Sequence, residues 1–377
     1  MSNRGPLNIA LIGAGNISGQ YLDTLGTFPD VRLTAIGDLD VSRAHTAARK
    51  YHVPEAGDPE SVLALPDVEL IVNLTVPAAH TEVALASLRA GKHVYGEKPL
   101  ALSPRDGARI LAEAQACGLR VGCAPDTFLG AGLQSAQRAL QAGAIGEPVS
   151  ASAVLQGPGP DAWHPSPAFF YAPGAGPLFD MGPYYLTALV ALLGPVTRVA
   201  ATARTARSRR VAASGATFPV EVPTHLHTLL DFANGPSATA TFSFDSPEPR
   251  SLLEITGTEG TLSLPDPNTF AGPLRIRRFE DDDWRPLPVH GTTAGRGLGV
   301  LDMARALRTG QEHRASGELA LHVLETMTMI TEAAETHATA HVTPWHSTLR
   351  PLPDDWNPTA STLTADLRPS ASPRPGT

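Results

Sequence analysis

The chain has 377 residues and a formal net charge of −8, with 29 Lys+Arg against 37 Asp+Glu, and its hydrophobic content is 42%. This length allows two domains that each bury a core. The acidic balance, with no basic stripe and no apolar run of transmembrane length, argues against a nucleic-acid-binding or membrane protein. Because residues 1–5 contain no apolar signal segment and the two cysteines cannot form a disulfide framework, we expect a cytoplasmic protein.

The first predicted elements are a strand, a glycine turn and a helix. The apolar run 7–12 leads into Gly13-Ala-Gly15-Asn16-Ile17 and then into an amphipathic segment. Gly13 permits the tight turn. Gly15 lets a pyrophosphate approach the backbone at the amino end of the helix, where free N–H groups and the helix dipole attract an anion. We therefore predict that Gly13, Gly15, Asn16 and Ile17 bind a dinucleotide cofactor.

The second apolar run, 31–36, leads into Asp38, which lies 25 residues after Gly13. At this position an acidic side chain accepts hydrogen bonds from both hydroxyl groups of the adenosine ribose. A carboxylate there repels the additional 2′-phosphate of NADP, so we predict that the cofactor is NAD. Arg43 is near enough in the sequence to reach such a phosphate, so NADP is the alternative.

The alternation of strand and helix continues to about residue 125. Further apolar runs, separated by helical patterns with capping residues, occupy 68–75, 92–95 and 119–124. This alternation predicts an α/β fold with a parallel, doubly wound sheet, a Rossmann domain over residues 1–125, whose ligand binds at the carboxyl ends of the strands. Two motifs lie at such ends and are predicted to line the nicotinamide half of the cleft: Thr75-Val-Pro77-Ala-Ala-His80 and Glu97-Lys98-Pro99.

Lys98 is one of only three lysines in the chain, the others being Lys50 and Lys92. Arginine supplies every other permanently positive side chain. An ammonium group can be tuned to give up its proton near neutral pH, whereas a guanidinium group cannot. We therefore predict that Lys98 takes part in proton transfer, although a solvated surface lysine is the plainer interpretation of a single lysine.

The pattern changes after residue 125. Seven segments alternate between apolar and polar residues, with turns between them, at 148–156, 197–206, 225–233, 237–245, 251–256, 260–264 and 274–279. They predict a large, mostly antiparallel sheet with one solvated face, followed by helices over Leu298–Arg308 and Gly317–His337. We assign residues 126–352 to an α+β substrate domain and residues 353–377, which are rich in Pro, Ser and Thr, to a flexible tail.

A glycine-rich loop at 173–177 runs into a predicted helix that carries Asp180 and Tyr184. Residues four positions apart share a helix face, so the carboxylate and the phenol point to the same place. Beside an ammonium and a carboxylate, a phenol can have its pKa drawn towards neutrality and can exchange a proton with a substrate hydroxyl. The structural alternative, with Asp180 near the helix start and Tyr184 in the core, fits the residue types at least as well.

Candidate substrate-binding residues precede this loop. Trp163 and Tyr171 have ring faces that pack well on a sugar ring, and His164 can bind a hydroxyl group. Thr127 lies where the chain crosses between the two domains and is placed to reach the same pocket. Aromatic residues in a loop rich in Pro and Gly serve equally often in simple packing, so both interpretations stay open.

These motifs resemble those of the Gfo/Idh/MocA oxidoreductases, the family of glucose–fructose oxidoreductase and inositol dehydrogenase. The resemblance runs from Gly13 to about Pro351 and includes Ile255–Leu262 and the late helix with Asp302. It implies hydride transfer between the nicotinamide of NAD(P) and a secondary alcohol or ketone carbon of a sugar, glycoside or cyclitol. In such a reaction the protein places the carbon and moves the hydroxyl proton.

The family's usual Asp-x-x-x-His becomes Asp180-x-x-x-Tyr184 here, which resembles the glucose–fructose oxidoreductase branch and some sugar ketoreductases. Inositol specificity therefore does not transfer directly. The resemblance implies that Tyr184 is the immediate proton acceptor, with Lys98 hydrogen-bonded to it or to the substrate oxygen and Asp180 orienting the pair. The reverse order, with Lys98 as the direct base, stays open because coupled groups titrate together.

Two other activities are compatible with the resemblance. One is an NAD-dependent glycosidase that oxidises its substrate only transiently, without net redox change. The other is a non-catalytic NAD-binding regulator, since the galactose-pathway repressors of yeasts resemble this fold. Because binding alone does not need Lys98, Asp180 and Tyr184 together, we favour the dehydrogenase. The resemblance also implies a homodimer or homotetramer formed through the exposed face of the second sheet. We predict no metal site, since no carboxylate or cysteine completes a ligand set with His225 and His227.

Overall fold

The computed structural model describes residues 5–345 and 349–363 and begins with a six-stranded sheet. Its strands are β1 (Leu7–Ile12), β2 (Val31–Gly37), β3 (Glu55–Gly57), β4 (Leu70–Asn73), β5 (His93–Gly96) and β6 (Val121–Cys123). The order is β3-β2-β1-β4-β5-β6, and every neighbouring pair is parallel. This is the strand order of a doubly wound dinucleotide-binding fold, so the predicted Rossmann domain is confirmed.

Helices pack on both faces of this sheet. They are α1 (Ser18–Leu25), α2 (Val41–Tyr51), α3 (Pro59–Leu63), α4 (His80–Arg89) and α5 (Pro104–Cys117). Alternate residues of β1 are buried in two separate apolar clusters, with Ile9 and Leu11 in one and Ala10 and Ile12 in the other. Burial of both faces explains why β1 reads as one continuous apolar run rather than an alternating one.

The remaining chain forms a nine-stranded sheet. Within the described residues, the chain first forms α6 (Ala131–Gln141) and then eleven strands, of which β9 and β10 form a separate two-stranded sheet. In chain order the strands are β7 (Pro148–Gln156), β8 (Val196–Arg204), β9 (Arg209–Val211), β10 (Thr217–Pro219), β11 (His225–Phe232), β12 (Ser237–Ser243), β13 (Arg250–Gly257), β14 (Gly260–Ser263), β15 (Leu274–Arg278), β16 (Arg285–Leu287) and β17 (Ala340–His341). The order is β16-β15-β14-β13-β7-β12-β11-β8-β17, while β9 pairs only with β10. Among the neighbouring pairs of this nine-stranded sheet that the structure describes, only β7–β12 is parallel. The prediction of a mostly antiparallel sheet is confirmed.

Three further helices pack in the apolar cluster that includes residues of both sheets: α7 (Gly176–Leu193), α8 (Leu298–Thr309) and α9 (Gly317–Thr336). Leu186 and Leu189 of α7 and Ile330 of α9 are fully buried in one apolar cluster that contains residues of both sheets. Because α7 is apolar almost all round, it packs inside the molecule. This burial holds the first turns of α7, which carry Asp180 and Tyr184, in a fixed position.

Residues 357–363 make more contacts than their composition predicts. We predict a flexible tail over 353–377, and its residues 364–377 lie outside the described part. Within that part, Thr362 and Leu363 donate backbone N–H groups to Asp30 Oδ1 at 2.9 Å, and Arg305 donates to the backbone oxygens of Asn357 and Ala360. Residues 357–363 are therefore bound by polar contacts with Asp30 of the first domain and Arg305 of the second, and such contacts need little apolar surface.

Candidate active site

The glycine turn after β1 has room for a phosphate. Gly13 has φ +103°, and a Cβ atom there would lie 2.6 Å from the carbonyl carbon of Leu74, so only glycine fits. A Cβ atom on Gly15 would have no other atom within 4 Å, which leaves the backbone open to a ligand. The helix α1 begins at Ser18 and has no side-chain cap. Open backbone and an uncapped helix start fit the predicted pyrophosphate site.

The carboxylate of Asp38 is held at the end of β2. Its Oδ2 accepts the N–H of Ala14 at 2.7 Å, and its Oδ1 accepts the N–H of Asp40 at 2.8 Å. Arg43 Nη1 lies 3.8 Å from Asp38 Oδ2, and the side chain of Arg43 is exposed. Asp38 therefore lies beside the glycine turn, where the ribose is predicted, and Arg43 is adjacent to it.

His80 connects the two predicted nicotinamide loops. Its buried ring lies between them, with Nδ1 2.6 Å from the oxygen of Pro99 and Nε2 3.1 Å from the oxygen of Thr75. Pro77 begins a short 3₁₀ turn between Thr75 and His80. Burial lowers the pKa of His80. The structure therefore gives His80 the role of holding the ends of β4 and β5 together.

Glu97 is buried and fully engaged with the protein. Its Oε1 accepts the hydroxyl of Tyr21 at 2.8 Å, and its Oε2 accepts the N–H of Lys98 at 3.0 Å. Since Tyr21 belongs to α1, Glu97 fixes the lysine loop to the helix that follows the glycine turn. Its contacts are those of a residue that supports the site from inside.

The structure brings Lys98, Asp180 and Tyr184 together. Lys98 Nζ donates to the backbone oxygen of Asp180 at 2.6 Å and to its Oδ1 at 3.0 Å, and it lies 5.3 Å from the centroid of the Tyr184 ring. The Lys98 and Asp180 side chains are 17% and 25% exposed, so the pair lies at the edge of a cleft. The helix that was predicted to present Asp180 and Tyr184 on one face is confirmed.

Asp180 favours the charged form of Lys98. Burial acts to lower the pKa of Lys98, but the neighbouring charge of Asp180 outweighs it, and the pKa is raised. This direction is opposite to the lowered pKa that a lysine acting as a base near neutral pH would need. The sequence could not show this, because the partner carboxylate is 82 residues away.

Tyr184 has a second cationic neighbour, which the sequence reasoning missed. Arg296 Nη2 donates to the Tyr184 hydroxyl at 3.2 Å. Burial raises the pKa of Tyr184, and the charges of Lys98 and Arg296 offset part of that rise. The signal available in the sequence was Gly295-Arg296-Gly297, since two glycines with φ of +113° and +103° form the loop that presents the arginine.

The predicted substrate residues differ in their surroundings. Thr127 is buried, and so is Tyr171, whose ring packs on Phe218 and whose hydroxyl donates to Asp161. Trp163 is 70% exposed, and its loop also carries His164, whose ring lies 5.5 Å from it, edge to face. Within the described residues, no group of three His, Cys, Asp or Glu side chains is arranged to hold a metal.

His225 and His227 form a pair on the outer face of the second sheet. Their Nε2 atoms are 3.0 Å apart, and their Nδ1 atoms lie 2.9 and 3.0 Å from the hydroxyls of Ser243 and Thr241. Both rings therefore have protein partners at each nitrogen. Across the described ranges 5–345 and 349–363, we find no helix with the length and apolar composition that a membrane crossing requires.

Comparisons with known proteins agree with this geometry. Residues 7–124 match the family profile described as the oxidoreductase family with an NAD-binding Rossmann fold, and residues 133–263 match the GFO/IDH/MocA C-terminal domain. Trans-1,2-dihydrobenzene-1,2-diol dehydrogenase of Bos taurus is 26% identical over 264 residues, which cover 69% of this chain and 75% of that protein. The dTDP-3,4-didehydro-2,6-dideoxy-alpha-D-glucose 3-reductase of Streptomyces antibioticus is 29% identical over 317 residues, which cover 81% and 89%.

A solved structure of levoglucosan dehydrogenase in complex with NADH and L-sorbose has the same fold. The superposition has a TM-score of 0.77, with 21% sequence identity, and covers 89% of this chain and 98% of that chain. Both family profiles match consecutive parts of the chain, one on the first sheet and one on most of the second. The chain therefore belongs to the GFO/IDH/MocA family of oxidoreductases, in which the Rossmann domain binds NAD.

Proposed function

We propose that this protein is an NAD-dependent dehydrogenase that oxidises a secondary alcohol of a sugar, glycoside or cyclitol to the ketone, or catalyses the reverse reduction. The observation that carries this proposal is the contact of Lys98 with Asp180 beside Tyr184, at the carboxyl ends of the Rossmann strands. NAD, when bound, supplies the acceptor or donor of the hydride. The protein must then place the alcohol and accept its hydroxyl proton.

Tyr184 is the proposed proton acceptor. In this proposal Lys98 acts as a hydrogen-bond donor, since its Nζ already donates to the backbone oxygen and to Oδ1 of Asp180. Its ammonium can donate a hydrogen bond to the substrate oxygen and stabilise negative charge there during the reaction. Asp180 orients the ammonium through the contact at 3.0 Å. Of the two orders that the sequence left open, this geometry supports the one in which Tyr184 moves the proton.

The substrate class rests on chemistry shared among relatives. The names of two relatives describe a ring diol and a keto sugar, both of which carry the oxygen on a ring carbon. The cleft edge near Lys98 presents an ammonium, a carboxylate and a phenol, which suit a polyhydroxylated ring. NAD is preferred over NADP in this proposal, because the carboxylate of Asp38 occupies the end of β2 beside the glycine turn.

The exposed face of the nine-stranded sheet supports assembly as a homodimer or homotetramer. Leu229 on β11 is more than half exposed, and Thr239 and Ser152, which lie beside it on β12 and β7, are exposed as well. Apolar side chains on a solvated sheet face are candidates for an interface. Light scattering after size-exclusion chromatography would test this part of the proposal, and a monomer at all concentrations would contradict it.

The activity is tested by following reduced nicotinamide absorbance with NAD and a panel of cyclitols, free sugars and glycosides. The variants are Lys98→Met and, as a matched control, Lys50→Met, whose lysine lies far from Asp180 on α2. We expect NADH to accumulate with one ring class, to be lost in Lys98→Met and to be retained in Lys50→Met. Product without NADH would support the redox-neutral glycosidase instead, and NAD binding without any product would support the regulator.

A further inference from the structure

We propose that Arg296 is a further catalytic residue, which stabilises the phenolate of Tyr184 while that oxygen holds no proton. The proposal rests on the proposed function, in which Tyr184 accepts the substrate proton. Arg296 touches the reacting oxygen directly, since its Nη2 lies 3.2 Å from the Tyr184 hydroxyl. The step starts from the phenolate, whose proton has gone to solvent. The alcohol O–H bond breaks and its proton forms the O–H bond of Tyr184, while the C–H bond at the same carbon breaks, its electron pair leaves as hydride to the nicotinamide, and the C=O bond of the ketone forms.

All direct partners of Arg296 are neutral. Nη2 lies 3.2 Å from the Tyr184 hydroxyl and 3.3 Å from Asn268 Oδ1, and Nε donates to Gln20 Oε1 at 3.0 Å. No carboxylate of the described residues forms a salt bridge with Arg296. Arg296 is half-buried, and its Nη1 is buried without a hydrogen-bond partner. Glu97 and Asp126 act on its charge from beyond salt-bridge distance, whereas the Tyr184 hydroxyl is in direct contact and can become an anion.

Four other arginines, whose side chains are between 5% and 20% exposed, do not share this arrangement. Each has a carboxylate at salt-bridge distance: Arg210 with Asp161 at 2.8 Å, Arg305 with Asp30 at 2.7 Å, Arg308 with Glu69 at 2.7 Å and Arg314 with Asp302 at 2.5 Å. Withdrawing a charge from water without a counter-ion in contact is costly, so its retention calls for an anion that is present in the working enzyme. A phenolate on Tyr184 would be that anion.

The loop that carries Arg296 is anchored for this purpose. Asp126 Oδ2 accepts the N–H groups of Gly297 and Gly299 at 2.8 and 3.0 Å, which ties the loop to the crossover between the domains. A Cβ atom on Gly297 would lie 3.1 Å from Leu25 Cδ2, so the loop also packs closely on α1. Asp126 is thus a positioning residue, acting on Tyr184 through Arg296. The guanidinium reaches the phenol from the side of α8, while Lys98 reaches it from β5.

Arg296 could serve the cofactor rather than Tyr184, and the experiment has to distinguish these two roles. Gln20, which accepts the Nε of Arg296, belongs to α1, whose start is the predicted pyrophosphate site. If Arg296 served the cofactor instead of Tyr184, its removal would weaken NAD binding and leave the ionisation of Tyr184 unchanged. We commit to Tyr184, because the hydroxyl is in direct contact, whereas Gln20 itself fills the position towards α1.

The test measures the ionisation of Tyr184 without turnover. Difluorotyrosine, a more acidic phenol, is incorporated at position 184, and its ionisation is followed by fluorine NMR in the native sequence, Arg296→Met, Arg296→Lys and the control Arg308→Met. We expect the pKa at position 184 to rise by about one unit or more in Arg296→Met, because a cation in contact typically shifts a pKa by that amount. Arg296→Lys should restore part of the shift, and Arg308→Met should show none.

Turnover then supplies an independent readout with natural Tyr184. A rise of one to two units in its pKa predicts a loss of roughly 10- to 100-fold in kcat at neutral pH that recovers as the pH is raised. A loss that does not recover with pH, an unchanged ionisation at position 184, or weaker NAD binding alone would each overturn the proposal. If no substrate turns over, the proposed function fails while the fluorine titration still decides the role of Arg296. If Arg296→Met does not fold, the ionisation at position 184 is compared instead between the native sequence, Arg296→Lys and Gln20→Ala.

Discussion

Replacing Asp180 by asparagine removes the negative charge beside Lys98 and keeps the size of the side chain. Two unit charges 3.0 Å apart attract by about 5 kcal/mol at an effective dielectric constant of about 20. A quarter of the Asp180 side chain is exposed, so we reduce this to about 2–3 kcal/mol, which corresponds to a fall of about two units in the pKa of Lys98. The ammonium would then lose its fixed direction towards the substrate oxygen.

The chain is well suited to this measurement because it contains only three lysines. Lysine labelled with ¹³C at Cε gives three side-chain signals, assigned through Lys50→Met and Lys92→Met. We expect the titration of Lys98 to be raised in the native protein and to fall in Asp180→Asn, while Lys92, whose pKa is lowered by burial, stays unchanged.

The same substitution should lower kcat/KM by about 100-fold, the lower range for a group that supports acid–base catalysis. Asp231→Asn is the matched control, because Asp231 forms an exposed pair with Arg198 at 2.6 Å. Loss of activity in both variants would indicate a general effect on the fold. An unchanged titration of Lys98 in Asp180→Asn, or a native pKa below the usual lysine range, would refute the reasoning.

Three further predictions follow from the cofactor half of the cleft and the site loop. Gly13→Ala places a Cβ atom 2.6 Å from the carbonyl carbon of Leu74 and should abolish NAD binding in calorimetry, while Gly215→Ala, also at positive φ but with no atom within 4 Å, should not. Asp38→Asn should weaken NAD binding by about tenfold, which corresponds to the loss of roughly one hydrogen bond to a charged group. It should also reduce the ratio of the affinity for NAD to the affinity for NADP, and fluorescence titration with both cofactors measures the two affinities. Burial raises the pKa of Asp126 to about 6 from 3.8. Because the folded state binds this proton more tightly than the unfolded state, Asp126 adds up to about 3 kcal/mol to the free energy of unfolding. The contribution is fully present below pH 4 and is lost as the pH rises through 6. Urea unfolding at several pH values should show this slope in the native protein and not in Asp126→Asn.

The parts that could be predicted from the sequence have local causes. The alternation of apolar runs with capped helices specified the first sheet, and alternating segments specified seven strands of the second. The strands β3, β9, β10, β16 and β17 were missed because each has three residues or fewer, too short for a period of two to appear. Helix α7 was recognised because the glycine loop and the pair four residues apart lie in one stretch.

What could not be predicted depends on partners distant in the chain. Tyr171 is predicted to bind the substrate, and the sequence does not show that its ring packs on Phe218 on β10 and Phe244 after β12. Residues 357–363 appeared to be a free tail, but Asp30 and Arg305 bind them. In both cases the local composition was read correctly, and a contact more than 40 residues away decided the outcome.

Arg296, the second cation at Tyr184, can be explained by the high pKa of a phenol that acts as the proton acceptor. An imidazole ionises near pH 6.5 and a phenol near pH 10, a difference of about 3.5 units. Burial enlarges the difference, since it raises the pKa of Tyr184. One ammonium, already paired with Asp180, offsets only part of it. An arginine whose direct partners at 3.0–3.3 Å are neutral contributes charge that no carboxylate in contact offsets. In the proposed mechanism, Arg296 therefore supplies the part of the stabilisation of the Tyr184 phenolate that Lys98 does not.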